Sequence, residues 1–108
     1  RLDVISREKN KMVIIETIEY SKWFDKLKDG KAKAKIDVRV RRIAAQDHFG
    51  DFKPVGDGIC ELRIDYGPGY RIYYTQRGEE IVLLLIGGDK STQQSDIKKA
   101  KQILANYQ

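Results

Sequence analysis

The chain has very little cysteine or histidine, and each shortage excludes a class of protein. It contains one cysteine, Cys60, so the fold has to be stable without an internal disulfide. One histidine, His48, cannot form a zinc site with a single cysteine. Cys60 falls on the apolar side of a predicted strand, which indicates a core position and a reducing compartment. His48 lies in a turn-rich segment and is interpreted as a solvated side chain.

Long hydrophobic runs are also missing. No apolar stretch reaches the ~18 residues of a membrane helix, and no charged-then-apolar signal segment is present, so we expect a cytoplasmic protein without a membrane partner. A length of 108 residues indicates one domain. Residues 1–11 are mostly polar and show no sustained period, which we interpret as a tail or an expression remnant. The domain is then predicted to comprise residues 12–108.

The familiar motifs of conventional enzymes are absent. There is no phosphate-binding loop, no dinucleotide fingerprint, no nucleophile elbow and no H-E-x-x-H pair. Carboxylates at Glu61, Asp65 and Asp89 could serve a magnesium-dependent nuclease, but each lies beside predicted cations that would compete for it. We therefore expect neither a metal nor another cofactor.

Basic residues, by contrast, are abundant and clustered. Lysine and arginine number 21 against 16 acidic residues, giving a net charge of +5. A short window opposed only by Asp37 contains Lys31, Lys33, Lys35, Arg39, Arg41 and Arg42. This concentration favours a polyanionic partner, with ordinary solubility charge as the alternative. We predict that RNA phosphates are contacted by Lys35, Arg39, Arg42 and Lys53.

Apolar spacing predicts an α+β fold. Two helical stripes, Tyr20–Leu27 and residues 36–44, suggest a helical hairpin separated by Asp29 and Gly30, with Lys35, Arg39 and Arg42 on a solvent-facing ridge. The β-branched run after Met12 predicts an N-terminal strand at or near a sheet edge. Residues 48–58 are rich in turn formers and are predicted to be a connection. A last apolar stripe predicts a C-terminal helix covering part of an antiparallel sheet, because the final strand is apolar on both faces.

The sheet itself is predicted from residues 58–90, which read as a three-stranded meander. A three-residue turn at Gly67-Pro68-Gly69 would set Asp65 opposite Arg71 and Arg63 opposite Tyr73.

The second turn, centred on Arg77 and Gly78, would set Arg71 opposite Leu84. Continuing that parity brings Gly88 and Lys90 to the same side as Arg71. The predicted cluster on this polar face comprises Arg63, Arg71, Lys90 and Tyr73.

Such a cluster suits phosphodiester cleavage, because fixed cations stabilise the negative charge of the transition state. RNA supplies its own nucleophile, the 2′-hydroxyl, and a lysine or tyrosine with a lowered pKa could act as base or acid. The alternative is that Arg63 and Arg71 are surface partners of Glu61 and Asp65.

Two motifs, E-L-R-I-D-Y-G-P-G-Y-R and G-G-D-K-S-T-Q, resemble the HigB-like addiction module killer protein branch of the RelE/ParE toxin superfamily. The resemblance extends from about Met12 to the end of the chain. It implies a small α+β toxin with two N-terminal helices against an antiparallel sheet, neutralised by a cognate antitoxin. For RelE-type members it implies metal-free cleavage of messenger RNA on the ribosome.

By position, the resemblance implies that Arg63 is a catalytic basic residue, that Arg71 binds phosphate and that Lys90 is the basic residue after the last strand. RelE-type enzymes can carry a tyrosine soon after that residue, where this chain has Ser91–Gln94, so Tyr73 or Tyr107 is a candidate substitute. Two other functions remain open. One is ParE-type inhibition of DNA gyrase without catalysis, and the other is RNA binding without activity.

Overall fold

The computed structural model describes residues 12–107, so the prediction for residues 1–11 lies outside the described residues. The strands are β1 (Val13–Glu16), β2 (Phe52–Gly56), β3 (Ile59–Ile64), β4 (Tyr70–Arg77) and β5 (Ile81–Asp89). The helices are α1 (Ile18–Lys26), α2 (Gly30–Gln46) and α3 (Gln93–Tyr107), with a 3₁₀ turn at Lys90–Thr92. Within residues 12–107, no helix has the length and apolar character needed to cross a membrane.

The strands form one mixed sheet in the order β1-β5-β4-β3-β2. The pairs β2–β3, β3–β4 and β4–β5 are antiparallel, whereas β1 pairs parallel with residues 81–84 of β5. The α+β class and the edge position of the N-terminal strand are confirmed. The antiparallel meander is present in β3 to β5, and the direction of β1, which a β-branched run does not determine, is parallel to β5.

The helical hairpin α1–α2 covers one face of the sheet, as predicted. Asp29 is the N-cap of α2, and its carboxylate accepts hydrogen bonds from the backbone N–H groups of Lys31 and Ala32. Asp29 and Gly30 were expected to end α1; instead α1 ends at Lys26, and Gly30 is the first residue of α2. The core on this face comprises Met12, Tyr20, Ile36, Ile43, Leu62, Ile64, Ile72, Tyr74, Val82 and Leu84.

A second core lies on the opposite face, beneath α3. It comprises Ile59, Tyr73, Leu83, Leu85, Ile86, Ala100 and Ile103. Strand β5 contributes to both cores, and residues 82–87 of this strand are buried. The prediction that the C-terminal helix covers part of the last strand is therefore confirmed.

Strand β2 was missed in the segment predicted to be a connection. It pairs with β3 through a two-residue turn, Asp57-Gly58, in which both residues have positive φ, 56° and 78°. An Asp-Gly pair between two strands is a strong signal of a β-hairpin, so this turn could have been predicted from the sequence. Pro54 is compatible with β2 because β2 is an edge strand and one of its sides has no neighbouring strand. On that side the backbone N–H that proline lacks would form no hydrogen bond within the sheet.

The β3–β4 pairing differs from the predicted register by two residues. Arg63 lies opposite Arg71, and the loop spans residues 65–69 instead of three residues. Tyr66 lies in this loop, where its hydroxyl donates a hydrogen bond to Asp29 at 3.0 Å. A two-residue shift returns every side chain to the same face, so the predicted grouping of the polar side chains survives.

The β4–β5 pairing contains a β-bulge that the sequence did not reveal. The turn occupies residues 78–80, and Tyr74, rather than Arg71, lies opposite Leu84. Just beyond Tyr74 the register shifts by one residue, which restores the predicted parity and places Gly88 opposite Arg71. The prediction that Leu84 lies opposite Arg71 is wrong, because the turn at residues 78–80 already places Leu84 opposite Tyr74. The prediction that Gly88 lies on the side of Arg71 is confirmed, because the bulge restores the parity.

Candidate functional site

Polar and charged side chains interrupt the second core on β3 and β4. Glu61 and Arg63 of β3 lie directly opposite Tyr73 and Arg71 of β4. Alternate residues of a strand point to the same side, so all four belong to the face that α3 covers. The structure brings together Arg63, Arg71 and Tyr73, and it places Glu61, considered in the sequence as a surface partner or a magnesium ligand, at their centre.

The Glu61 carboxylate is completely buried and has several donors around it. Its Oε1 accepts a hydrogen bond from Arg63 Nε at 3.2 Å, and its Oε2 accepts one from the Tyr73 hydroxyl at 3.1 Å. Gln93, the first residue of α3, also donates to Oε2, and Arg71 Nε lies 3.8 Å from the same oxygen. Glu61 therefore connects two strands and the start of α3.

The electrostatics of the cluster depend on Glu61. Arg63 and Arg71 are like charges at directly opposite positions, which is destabilising by itself. The Glu61 carboxylate faces the Nε atoms of both and offsets that repulsion. A buried carboxylate requires such donors, because without them its desolvation would cost several kcal/mol. Two arginines and one carboxylate leave the cluster with one net positive charge.

The two arginine side chains are exposed to different extents. The Arg63 side chain is 33% exposed and the Arg71 side chain 13%. Arg71 Nη1 donates to the Tyr70 carbonyl at 3.1 Å, while Arg71 Nε has no hydrogen-bond partner among the described residues. Arg63 binds Glu61 through Nε, so its η nitrogens can receive a ligand. A guanidinium fork matches two oxygens of a phosphate, so phosphate is the ligand this arrangement suits.

Comparisons with known proteins identify the family. The family model described as Phage derived protein Gp49-like (DUF891) matches residues 22–108. The chain belongs to this family. It is also 53% identical over 85 residues to an uncharacterized protein of Haemophilus influenzae (strain ATCC 51907 / DSM 11121 / KW20 / Rd), a match that covers 79% of this chain and 85% of the relative. The Gp49-like family is compatible with toxins of the addiction module type.

Tyr73 does not provide an accessible proton donor in this Gp49-like protein. Its side chain is fully buried and its hydroxyl is held by Glu61. Burial raises the pKa of Tyr73 well above its usual range, and the neighbouring Glu61 carboxylate raises it further. The expectation of a lowered tyrosine pKa therefore does not hold for Tyr73.

Lys90 is exposed but lies to one side of the cluster. Its backbone N–H donates to the Gly69 carbonyl at 3.0 Å, and its aliphatic stem packs over Gly69. Gly69 has a φ of 82°, which favours glycine, and a methyl group there would also displace the Lys90 side chain. Within residues 12–107, Lys90 forms no ion pair with Glu61.

The four predicted RNA-binding residues are divided between the two faces of the sheet. Lys53 is exposed on β2 and lies opposite Glu61, which places it on the face of Arg63 and Arg71. Lys35 and Arg42 are exposed on α2, which packs on the other face. Only Lys53 therefore extends the arginine cluster, giving three neighbouring strands one cation each.

Arg39 does not face solvent as a member of a ridge, so that prediction is wrong. Its guanidinium donates to the backbone carbonyls of Phe49 and Asp51, each at 3.0 Å, and to that of Arg63. These carbonyls belong to the segment entering β2 and to β3. Arg39 therefore fastens α2 to the segment that enters the edge strand β2 and to β3.

Two residues of the site, Glu61 and Gln93, were not predicted as members of the arginine cluster. The alternation of Glu61 with Arg63 did signal a shared face, but it could not show that α3 buries the carboxylate. The position of Gln93 depends on how α3 docks, for which the sequence holds no local signal. In the part of the chain that the structure describes, no group of three or more His, Cys, Asp or Glu side chains is arranged to hold a metal ion.

Proposed function

We propose that this Gp49-like protein is the toxin of a type II toxin–antitoxin system and acts as a metal-independent endoribonuclease on messenger RNA at the ribosome, restrained by a cognate antitoxin. The family and the α+β fold support the toxin assignment. The nuclease assignment rests on one observation. Two arginines on adjacent strands face one buried carboxylate, which accepts a hydrogen bond from Arg63 Nε and lies 3.8 Å from Arg71 Nε, and both arginine side chains are partly exposed.

The chemistry follows from where the charge develops. When the 2′-oxygen of RNA bonds to the neighbouring phosphorus, the 2′-hydroxyl gives its proton to water, the bond to the 5′-oxygen breaks and that oxygen takes a proton from water. During this step negative charge grows on the non-bridging oxygens. Guanidinium groups that are already in place stabilise that charge without reorganising at the moment of reaction. In this proposal Arg71 and Arg63 bind those oxygens, while Glu61 positions both without touching substrate.

Other cations extend the surface in two directions. Lys53 on the edge strand would contact a neighbouring phosphate, because it lies on the same face one strand away from Arg63. Lys90, beside the β3–β4 turn, would contact the substrate from the other side. Phosphate contacts of this kind position RNA without reading its sequence.

Arg71→Ala tests the proposal most directly. Loss of one electrostatic contact to the transition state should lower the cleavage rate by roughly 10²- to 10³-fold. The measurement is primer extension on cellular messenger RNA after brief induction, with EDTA-treated cleavage reactions in vitro. Arg77→Ala is the matched control, since Arg77 is exposed at the far end of β4. Arg71→Lys retains a positive charge and tests whether the fork geometry matters.

The outcomes are distinct. Circular dichroism establishes that Arg71→Ala is folded before its rate is compared. If folded Arg71→Ala cleaves as fast as the wild type, or if EDTA abolishes cleavage, the mechanism is wrong. If growth stops while messages stay intact and a supercoiling assay shows inhibited gyrase, the ParE-type function replaces it.

A further inference from the structure

A groove lies on the face of the sheet opposite the arginine cluster. It has a volume of about 620 Å³ and runs between α2 and the end of β3. One wall is the outward stripe of α2, and the other is formed by residues 64–66. Ala34 and Val38 make the helix wall apolar, and Val38 is 43% exposed, a high value for a branched aliphatic side chain.

The rim of the groove is positively charged. Lys31 and Lys35 are exposed on the helix wall, and Arg39 adds a guanidinium whose hydrogen bonds go to uncharged carbonyls, so its charge is not neutralised. Asp65 is the one acidic residue in the lining. Apolar side chains flanked by cations match a ligand with an apolar stripe flanked by carboxylates.

The walls of the groove are held in place by internal contacts. The Tyr66 hydroxyl donates to Asp29 at 3.0 Å, and Lys35 Nζ lies 5.3 Å from the centre of the Tyr66 ring. Arg39 ties α2 to the carbonyl of Arg63. A groove that is already formed requires little ordering when a partner binds, which favours affinity.

We propose that this groove, formed by α2 and residues 64–66, binds an acidic amphipathic helix of a protein partner. The apolar stripe of that helix would cover Val38 and Ala34, and its carboxylates would pair with Lys31 and Lys35. A nucleic acid strand fits less well, because its phosphates would pair with the lysines but leave the apolar wall exposed to water. Lys35 is thereby assigned to a protein contact, on the face away from the RNA-binding arginines.

The test uses a designed helical peptide with a leucine stripe flanked by glutamates, and a control peptide with lysines in place of the glutamates. Binding to the full chain is measured by calorimetry and by the chemical shifts of α2 residues. Val38→Asp should weaken binding of the acidic peptide by roughly tenfold or more, because an unpaired carboxylate is buried against leucine. Val13→Asp, on exposed β1, is the matched control and should bind as the wild type does.

Charge is tested separately. Lys35→Glu should weaken binding of the acidic peptide and strengthen binding of the basic one. Lys98 is exposed on α3, so Lys98→Glu should change the binding of neither peptide. Equal binding of the acidic peptide to Val38→Asp and the wild type would overturn the proposal. So would a single-stranded oligouridylate that shifts the groove signals when the acidic peptide does not.

The inference rests on the proposed function only in naming the antitoxin as the protein that carries this helix. Peptide binding is measured without RNA, so a failure of messenger RNA cleavage leaves the groove proposal standing. Absence of peptide binding, in turn, leaves the cleavage proposal standing.

Discussion

The two faces of the sheet are covered in different ways. On the face of the α1–α2 hairpin, alternate apolar residues of β3, β4 and β5 meet apolar stripes of both helices, and the core is continuous. On the face of α3, the apolar core occupies one part of the sheet, and a buried carboxylate with two arginines occupies the next. The fold thus rests mainly on one face, while the other combines packing with a charged surface that is only partly covered.

Glu61→Ala should give the largest change in stability. It removes the acceptor of Tyr73 and Gln93 and leaves Arg63 and Arg71 opposed without compensation, so the free energy of unfolding should fall by about 3–5 kcal/mol. Urea denaturation measures it. Glu61→Gln keeps an acceptor oxygen for Tyr73 but loses the charge, so its free energy of unfolding should lie between those of the wild type and Glu61→Ala. A loss below about 1 kcal/mol for the alanine variant would mean that the polar part of this face does not support the fold.

The same substitution, glycine to alanine, at two adjacent positions of β5 compares how tightly the two faces are packed. A methyl group at Gly87 would lie 2.3 Å from Cζ3 of Trp23, on the hairpin face, whereas one at Gly88 would lie 1.8 Å from Oδ2 of Asp96, on the α3 face. The Trp23 ring is rigid and packed, but the Asp96 carboxylate can rotate away. Gly87→Ala should therefore lower the free energy of unfolding by about 1–3 kcal/mol and Gly88→Ala by less. Thermal denaturation showing the reverse order would contradict this difference between the faces.

RNA binding should distinguish the faces through its dependence on salt. Lys53→Gln removes one cation from the arginine face, so the slope of log affinity against log salt should decrease by roughly 0.7 for a single strand. Lys35→Gln, on the other face, should leave the slope unchanged. Fluorescence anisotropy with a labelled oligonucleotide at several salt concentrations measures both. Equal slopes for the two variants would contradict the hypothesis that RNA binds only the face of the arginine cluster.

The smallest expected effect on stability comes from Asp29, in the link between α1 and α2. Hydrogen bonding, first from the Ala32 N–H, lowers the pKa of Asp29 below its usual value of 3.8. The ionised form is favoured in the folded state, so the stabilisation is present above about pH 4 and is lost as the pH falls through the lowered pKa. The stability advantage of the wild type over Asp29→Asn should narrow in acid. Urea titrations at neutral and acid pH test this, and a pH-independent difference would argue against it.

The sequence predicted most of the elements because their apolar periods are strong. It predicted the polar grouping of Arg63 and Arg71 despite a register error, since the error was an even number of residues and the faces repeat every two. It could not predict the bulge in β5, because an all-apolar strand gives no signal of which residue is unpaired. Strand β2 was missed because Pro54 and the glycines were interpreted only as turn formers.

The site was less predictable than the fold, for reasons that concern distant contacts. Arg39 follows the spacing of a surface ridge, yet its carbonyl partners come from segments 10 to 24 residues away. Tyr73 alternates with apolar residues on both sides, and only the position of α3 shows that it is buried. A local pattern gives the direction of a side chain along its own element but not what lies in front of it.

The parallel pairing of β1 with β5 has a consequence for the order of folding. Thr17 donates a hydrogen bond to Leu85 across 68 positions of the chain, whereas β2 to β5 are joined by short turns. Local hairpins close first because their entropic cost is small, so the arginine-bearing strands can pair before the N-terminal strand has a neighbour. During synthesis, β1 cannot pair until residues 81–84 have emerged from the ribosome. The protein therefore remains structurally incomplete until that strand has left the ribosome that makes it.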